Sequence, residues 1–203
     1  MVKGCVFDFG GVMTTLTMPD RVRPVVSELG IPWSVLEAGF ARYRREMDGD
    51  LMTMNEMYAR IFRDAGFSVD GAAMARIIEA DQASYLYRNE ETLAFMRELS
   101  SRGFKLGILT NMCSDFARRF RVHFADFIAE ASALVISGEE RLYKPQRAIY
   151  EVMQKRIGLS GDELCFFDDV EDNCRGAREL GWRAIRFVST REAAAEFEKL
   201  LAS

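Results

Sequence analysis

The stretch "GCVFDFGGVM", residues 4–13, decides the fold: an apolar run carries a single carboxylate, Asp8, and Gly10 and Gly11 follow it almost at once. Desolvating an unpaired carboxylate is costly unless a cation or hydrogen bonds compensate it. The glycines point to a tight turn, or to a backbone that must let another group come close. Taken alone, the stretch is equally a strand that ends at a turn with an incidental acid.

Working outward, further apolar runs rich in branched and aromatic residues predict strands at Phe104–Leu109, Leu164–Phe167 and Ala184–Val188, with a weaker one at Ala133–Ile136. The first strand is expected over Gly4–Phe9. Helical patterns lie near Asp115–Arg121, Gln146–Ile157, Glu171–Leu180 and Thr190–Leu201. Strands alternating with helices imply an α/β fold, a Rossmann-like doubly wound parallel sheet covered on both faces. Runs such as "CFF" and "LGIL" lack polar alternation, as strands buried on both sides should.

Residues 15–88 read differently. They contain no strand pattern, but they carry helix starts at "SVLE" (Ser34–Glu37) and "TMNE" (Thr53–Glu56), both fitting a capping box, and breaks at Gly30, Gly49 and Gly66. The expected organisation is a core of residues 1–14 plus 89–203, with a small α-helical cap domain, residues 15–88, inserted after the first strand. Met47, Met52, Met54, Met57 and Met74 are expected to fill its core.

Composition excludes several functions. The 203 residues suit one ordinary domain or a core with a smaller insert, and 27 basic against 31 acidic residues give a net charge of -4 with no basic block. Nucleic-acid binding therefore has no electrostatic support. No apolar run reaches the length of a membrane span, and the N-terminal "MVKGCVFDF" enters a strand at once, leaving no room for a secretion signal. The four cysteines form no C-x-x-C pair, and Cys5 and Cys165 lie inside apolar runs, as reduced core residues of a cytoplasmic protein would. His123 is the only histidine, which rules out multi-histidine metal sites.

Ligands of open parallel sheets bind outside the carboxyl ends of the strands. The residues just past each strand are Asp8, Thr110–Asn111, and Asp168–Asp169, with Lys144 of "RLYKPQ" a loop beyond the weak strand. Each has an ordinary explanation: Thr110–Asn111 and Asp168–Asp169 as helix caps, Lys144 as a solvated loop lysine. Together they are one carboxylate, one hydroxyl, one lysine and an acidic pair converging on one crevice. Adjacent acids after apolar residues also need a nearby cation.

With these residues in place, the chain resembles the haloacid dehalogenase superfamily of hydrolases, mostly phosphatases, in a subgroup with a helical cap after the first strand. "VFDFGGV", "GILTN", "KP" after "SGEERLY", and "FFDDVEDN" are similar to its four motifs in order, and "GARELGW" to the helix that follows the fourth. The resemblance implies a Mg²⁺-dependent phosphomonoester hydrolase acting on a small phosphorylated metabolite, such as a sugar phosphate. Asp8 is then the nucleophile that forms an aspartyl-phosphate. Thr110, the Asn111 amide, Gly11 and Lys144 hold the phosphoryl group, with Lys144 also paired to Asp8. Asp8, the Gly10 carbonyl and Asp169 hold Mg²⁺, with Asp168 as a further or water-mediated ligand, and Asn173 orients Lys144 or the acidic pair. Gly10 and Gly11 let the backbone wrap the metal and turn its amides to phosphate.

One position departs from the family. Most phosphatases of the superfamily carry a second Asp two residues after the nucleophile, which protonates the leaving oxygen; here it is Gly10. Some capped members with a D-x-G-[GN]-V motif are phosphatases, and related sequences resemble the phosphatase-like domain fused to epoxide hydrolases. The alternative is a weak or inactive phosphate-ligand binding protein. Glu46, Asp48 and Asp50 are the cap acids nominated to replace the missing one. Arg42, Tyr43 and Arg45 are expected either to meet a polar substrate or to lie on a solvated face, and Trp33 and Phe40 to form either bundle core or a dimer surface. A 2-haloacid dehalogenase is disfavoured, because those enzymes place Ser or Asn where this chain has Asp168–Asp169. The oligomeric state is not legible.

Overall fold

The computed structural model describes residues 1–15 and 18–202. Five parallel strands form one sheet: β1 (Gly4–Phe7), β2 (Lys105–Thr110), β3 (Ala133–Ile136), β4 (Leu164–Asp168) and β5 (Arg183–Arg186), in the order β3-β2-β1-β4-β5. The chain builds outward from β1 on one side and then crosses to the other, so β1 and β4 flank the switch point where such sheets bind ligands.

The pleat sorts the strand residues between two cores. Cys5, Phe7, Leu106, Ile108, Cys165 and Phe167 face one side, and Val6, Leu109, Val135, Leu164 and Phe166 face the other. Helices α1 (Met18–Glu28), α2 (Trp33–Asp48), α3 (Met54–Asp64), α4 (Gly71–Ser84) and α5 (Glu90–Ser101) lie between β1 and β2 in sequence. Then come α6 (Ser114–His123), α7 (Ala125–Glu130), α8 (Ser137–Glu140), α9 (Arg147–Ile157), α10 (Glu171–Arg178) and α11 (Thr190–Ala202). Residues of α5, α6, α7 and α11 pack on the Phe7 face, and residues of α9 and α10 on the Val6 face. All four cysteines are buried and free. Among the described residues no helix is long and apolar enough to cross a membrane.

The helices α1–α4 leave and rejoin the sheet region side by side. Thr14 and Arg88 form an antiparallel bridge, the Thr15 amide donates to the Tyr87 carbonyl at 3.0 Å, and the Asn89 amide donates to the Met13 carbonyl at 2.9 Å. Their apolar residues join the Phe7-side core as one continuous cluster, in which Met47, Met52, Met54, Met57 and Met74 are buried. Trp33 and Phe40 are half-buried, and the Phe40 ring lies 5.9 Å from that of Tyr58, so both belong to the bundle. Gly39 is the point of closest approach of α2 to α3: a Cβ there would lie 2.4 Å from the Ile61 side chain.

The "TMNE" capping box is present at the start of α3, with Thr53 and Glu56 reciprocally bonded. The "SVLE" box is not. Pro32, extended at φ -62° and ψ 140°, takes the N-cap position, so α2 starts at Trp33 and Ser34 falls inside its first turn. An N-cap side chain must precede the first turn to reach its orphan amides. Helix α5 has no counterpart among the expected elements.

Candidate active site

Asp8 follows the last residue of the central strand. Phe7 is in register with Ile108 on one side and Phe167 on the other, and the Asp8 amide donates to the Phe167 carbonyl at 2.9 Å. This pins the acid at the carboxyl edge of the sheet. Its Oδ1 accepts from the Phe9 amide at 2.7 Å, and the chain then turns over Phe9–Met13, with the Phe9 ring edge-on to Phe120 and Phe124. Only one of the two glycines is required by the backbone. Gly11 has φ +76°, a left-handed conformation that strains other residues, whereas Gly10 has φ -67° and ψ 129°, which any residue adopts. The turn expected at this pair is carried by Gly11.

Lys144 is buried under the same edge. Its ammonium donates to Asp8 Oδ1 at 2.7 Å, Asp168 Oδ2 at 2.7 Å and the Leu109 carbonyl at 3.1 Å, so each of its three N–H groups has an acceptor. Asn111 fixes the loop that delivers it: the Lys144 amide donates to Asn111 Oδ1 at 2.8 Å, and Asn111 Nδ2 donates to the Lys144 carbonyl at 3.1 Å. Burial alone would lower the lysine pKa, but Asp168 and Asp8 outweigh it and hold the ammonium charged.

Asp168 ends β4 and is fully engaged. Oδ2 faces Lys144, Oδ1 accepts from the Val170 amide at 2.8 Å, and Asn173 Nδ2 lies 3.0 Å and 3.1 Å from the two oxygens. Asn173 thus orients the acid rather than the lysine. Asp169 is half-buried, and Thr110, the last residue of β2, is buried.

Carboxylate oxygens of Asp8, Asp168 and Asp169 lie within 4.8 Å of one another. Three acids face one ammonium. Burial, then the neighbouring acids Asp168 and Asp169, push the Asp8 carboxyl up against the opposing pull of Lys144, and burial and Asp168 do the same to Asp169. Compact hard-oxygen donors with uncompensated negative charge are what a small divalent cation such as Mg²⁺ binds, so the residues present fit that ion.

The edge opens on a cleft lined from the sheet side by Gly10, Thr110 and Asn111 and from the helical side by Arg44, Met47, Met54 and Asp81. Gly11 and Asp169 line a separate groove near Thr14 and Asn89. The nominated substrate-facing residues of α2 are elsewhere. Arg42 is exposed and lies 3.4 Å from Asp64, Tyr43 donates a short hydrogen bond to Asp64, and Arg45 is exposed. Helical rotation decides between the two readings: Arg44 shares the inward stripe with Phe40 and Met47. Among the nominated acids, Glu46 is exposed, Asp48 pairs with Arg44 Nε at 3.1 Å, and Asp50 accepts from the Ser114 amide at 2.8 Å. The cap acid that lines the cleft is Asp81, which sequence reasoning missed; its spacing from Met74, Ile77 and Ser84 on the buried face of α4 is the signal.

Residues 2–181 match the family model described as haloacid dehalogenase-like hydrolase. The chain belongs to this family. Two relatives of the haloacid dehalogenase-like hydrolase are phosphatases by name. A phosphoserine phosphatase of Thermus thermophilus is 30% identical over 167 residues, spanning 76% of this chain and 66% of its own length. Phosphatase MT3486 of Mycobacterium tuberculosis is 22% identical over 188 residues, spanning 90% and 86%. Solved structures share the fold. A HAD family enzyme of Bacteroides thetaiotaomicron, in complex with magnesium and inorganic phosphate, has a TM-score of 0.69 at 20% identity over 91% of this chain and 93% of its own. The L-2-haloacid dehalogenase of Xanthobacter autotrophicus has a TM-score of 0.69 at 18% identity, over 98% and 83%. These likenesses show the fold alone, and the chemistry must be argued from the site residues.

Proposed function

We propose that this hydrolase is a Mg²⁺-dependent phosphomonoesterase acting on a small phosphorylated metabolite through an aspartyl-phosphate on Asp8. The observation that carries this reading is the meeting of Asp8, Asp168 and Asp169 around the single buried ammonium of Lys144. A site built on an acidic pair supports phosphate-plus-metal chemistry over metal-free dehalogenation.

In this account the Asp8 carboxylate attacks phosphorus, the bond from phosphorus to the ester oxygen breaks, and the leaving oxygen takes up a proton. Water then attacks phosphorus, releasing phosphate and restoring the carboxylate. Lys144 neutralises charge on Asp8 and on the phosphoryl oxygens, and the Thr110 hydroxyl with the amides of Asn111 and Gly11 donates to those oxygens. Asp168, bonded to Lys144, Val170 and Asn173, holds the lysine in place. Asp8, Asp169 and the Gly10 carbonyl would hold Mg²⁺, whose charge lets a carboxylate approach a phosphate dianion. Residues 15–88 act as a cap over the core of residues 1–14 and 89–203, and they select the leaving group. The buried free cysteines support a cytoplasmic setting.

Gly10 favours one second reading, a phosphate-ligand binding protein with little turnover, because glycine has no proton to give. Aryl phosphate hydrolysis with Mg²⁺ and with EDTA, beside Asp8→Asn, separates the two. Metal-dependent release that vanishes in the variant is expected. No release from this easy leaving group overturns the enzyme reading, and near-wild-type release by Asp8→Asn overturns the assignment of Asp8 as nucleophile.

A further inference from the structure

The helical side of the cleft contains a buried polar cluster that the reaction chemistry does not use. Tyr58 donates to Asp81 Oδ2 at 2.7 Å, and Arg44 reaches toward the same oxygen at 3.8 Å. The Arg44 guanidinium is otherwise engaged, by Asp48 through Nε at 3.1 Å and by the Tyr85 hydroxyl at 3.4 Å. Asp81 Oδ1 is buried and has no hydrogen-bond partner. Asp81, itself fully buried, lines the cleft together with Gly10 and Thr110, at the same opening as the phosphate end of the site.

An unsatisfied carboxylate oxygen is costly to bury, and one in a native structure calls for an explanation such as a functional role or a group that completes it. The charge count points the same way. One guanidinium faces two carboxylates, Asp48 and Asp81, so the cluster favours an added donor and disfavours an added anion. Around it, Met47, Met54 and Phe116 give the cleft apolar walls.

We propose that Asp81 is the specificity-determining residue of the cap, its Oδ1 accepting a hydrogen bond from a hydroxyl or ammonium group on the leaving-group side of the phosphomonoester. This rests on the phosphatase reading and narrows its substrate class to esters of short amino alcohols or polyols. Monoesters with an anionic or wholly apolar leaving group are disfavoured.

The test uses paired substrates that differ by one donor: phosphoethanolamine against ethyl phosphate for an ammonium, and glycerol 1-phosphate against propyl phosphate for a hydroxyl. Sites that hydrogen-bond a substrate donor reject the analogue lacking it, by far more than one methylene is worth. The wild type is expected to prefer the donor-bearing member of at least one pair tenfold or more in kcat/KM, and the pair concerned tells ammonium from hydroxyl. In Asp81→Asn the side-chain oxygen can still accept from Tyr58, while the cleft side presents an NH₂ donor in place of the acceptor. The preference ratio should then fall to about one.

No preference in the wild type, or a ratio unchanged in Asp81→Asn, overturns the proposal. If the wild type hydrolyses none of these esters and no aryl phosphate, the phosphatase reading fails instead. The specificity claim is then decided by calorimetric binding of the same pairs, with the same ratios required.

Discussion

Lys144 Nζ lies 2.7 Å from Asp168 Oδ2, and neither side chain is exposed to solvent. Such a pair resists the loss of one member far more than it stabilises the fold, because the survivor is left charged and desolvated. Asp168→Ala strips Lys144 of one acceptor but leaves Asp8 and the Leu109 carbonyl. The expected destabilisation is about 3 kcal/mol, the lower end for a broken buried pair, read from urea denaturation. A change below about 1 kcal/mol, the scale of an exposed pair, would show that the lysine is held by other contacts.

Gly10 has an ordinary backbone conformation, so Gly10→Asp demands no left-handed residue. Without an acid there, rates should fall steeply as the leaving-group pKa rises. A general acid contributes ~10²–10⁴ in rate, and Gly10→Asp should flatten the dependence most for alkyl phosphates. An unchanged slope across a series of aryl and alkyl esters would contradict the account of Gly10.

Helix starts bind the helical insert to the sheet domain reciprocally. Asp50 accepts from the Ser114 amide at 2.8 Å at the start of α6, and Asp115 of α6 accepts from the Met54 amide at 3.1 Å at the start of α3. Removing a helix-start acceptor costs about 1 kcal/mol. Asp50→Ala and Asp115→Ala should each lower stability by about that amount. Their combined loss should differ from the sum, since both act at one contact. Strict additivity in chemical denaturation would show that the two bonds are independent.

Burial raises the Asp81 carboxyl above its ordinary value of 3.8, against the pull of Arg44 and the Tyr58 hydroxyl. A carboxyl raised in the folded state binds its proton more tightly there than in the unfolded chain. Its contribution to stability is therefore present below pH 3.8 and is lost as pH climbs through the folded pKa. Asp81→Asn has no such loss, so its stability should gain on the wild type as pH rises from 4 towards neutrality. Parallel pH–stability curves would contradict the raised value.

Much of this site was legible because parallel strands buried on both faces leave a distinctive pattern: unbroken apolar runs whose first polar residue marks the carboxyl edge. That places Asp8, Thr110 and Asp168, and β3 falls at Ala133–Ile136 as expected. The edge strand β5 ends at Arg186 although Phe187 and Val188 continue the apolar run, because the chain turns toward α11. What was not legible depends on rotation and partners. Arg44 differs from Arg42 and Arg45 only in helical phase, and the Gly10–Gly11 pair divides its roles through a turn geometry that composition does not encode. That the Val170 amide and Asn173 saturate Asp168 depends on partners whose placement the sequence does not reveal.

In the proposed reaction the phosphoryl group passes through Asp8. Without an acid–base residue at position 10, hydrolysis of the acyl-phosphate should lag its formation, so the intermediate should accumulate. The most direct measurement mixes protein, Mg²⁺ and an aryl phosphate, quenches early, reduces the acyl-phosphate with borohydride, and maps the modified residue by peptide mass spectrometry. Modification of the residue 4–13 stretch at Asp8, absent in EDTA, is expected. Turnover that leaves Asp8 unmodified, or that marks another residue, would contradict it.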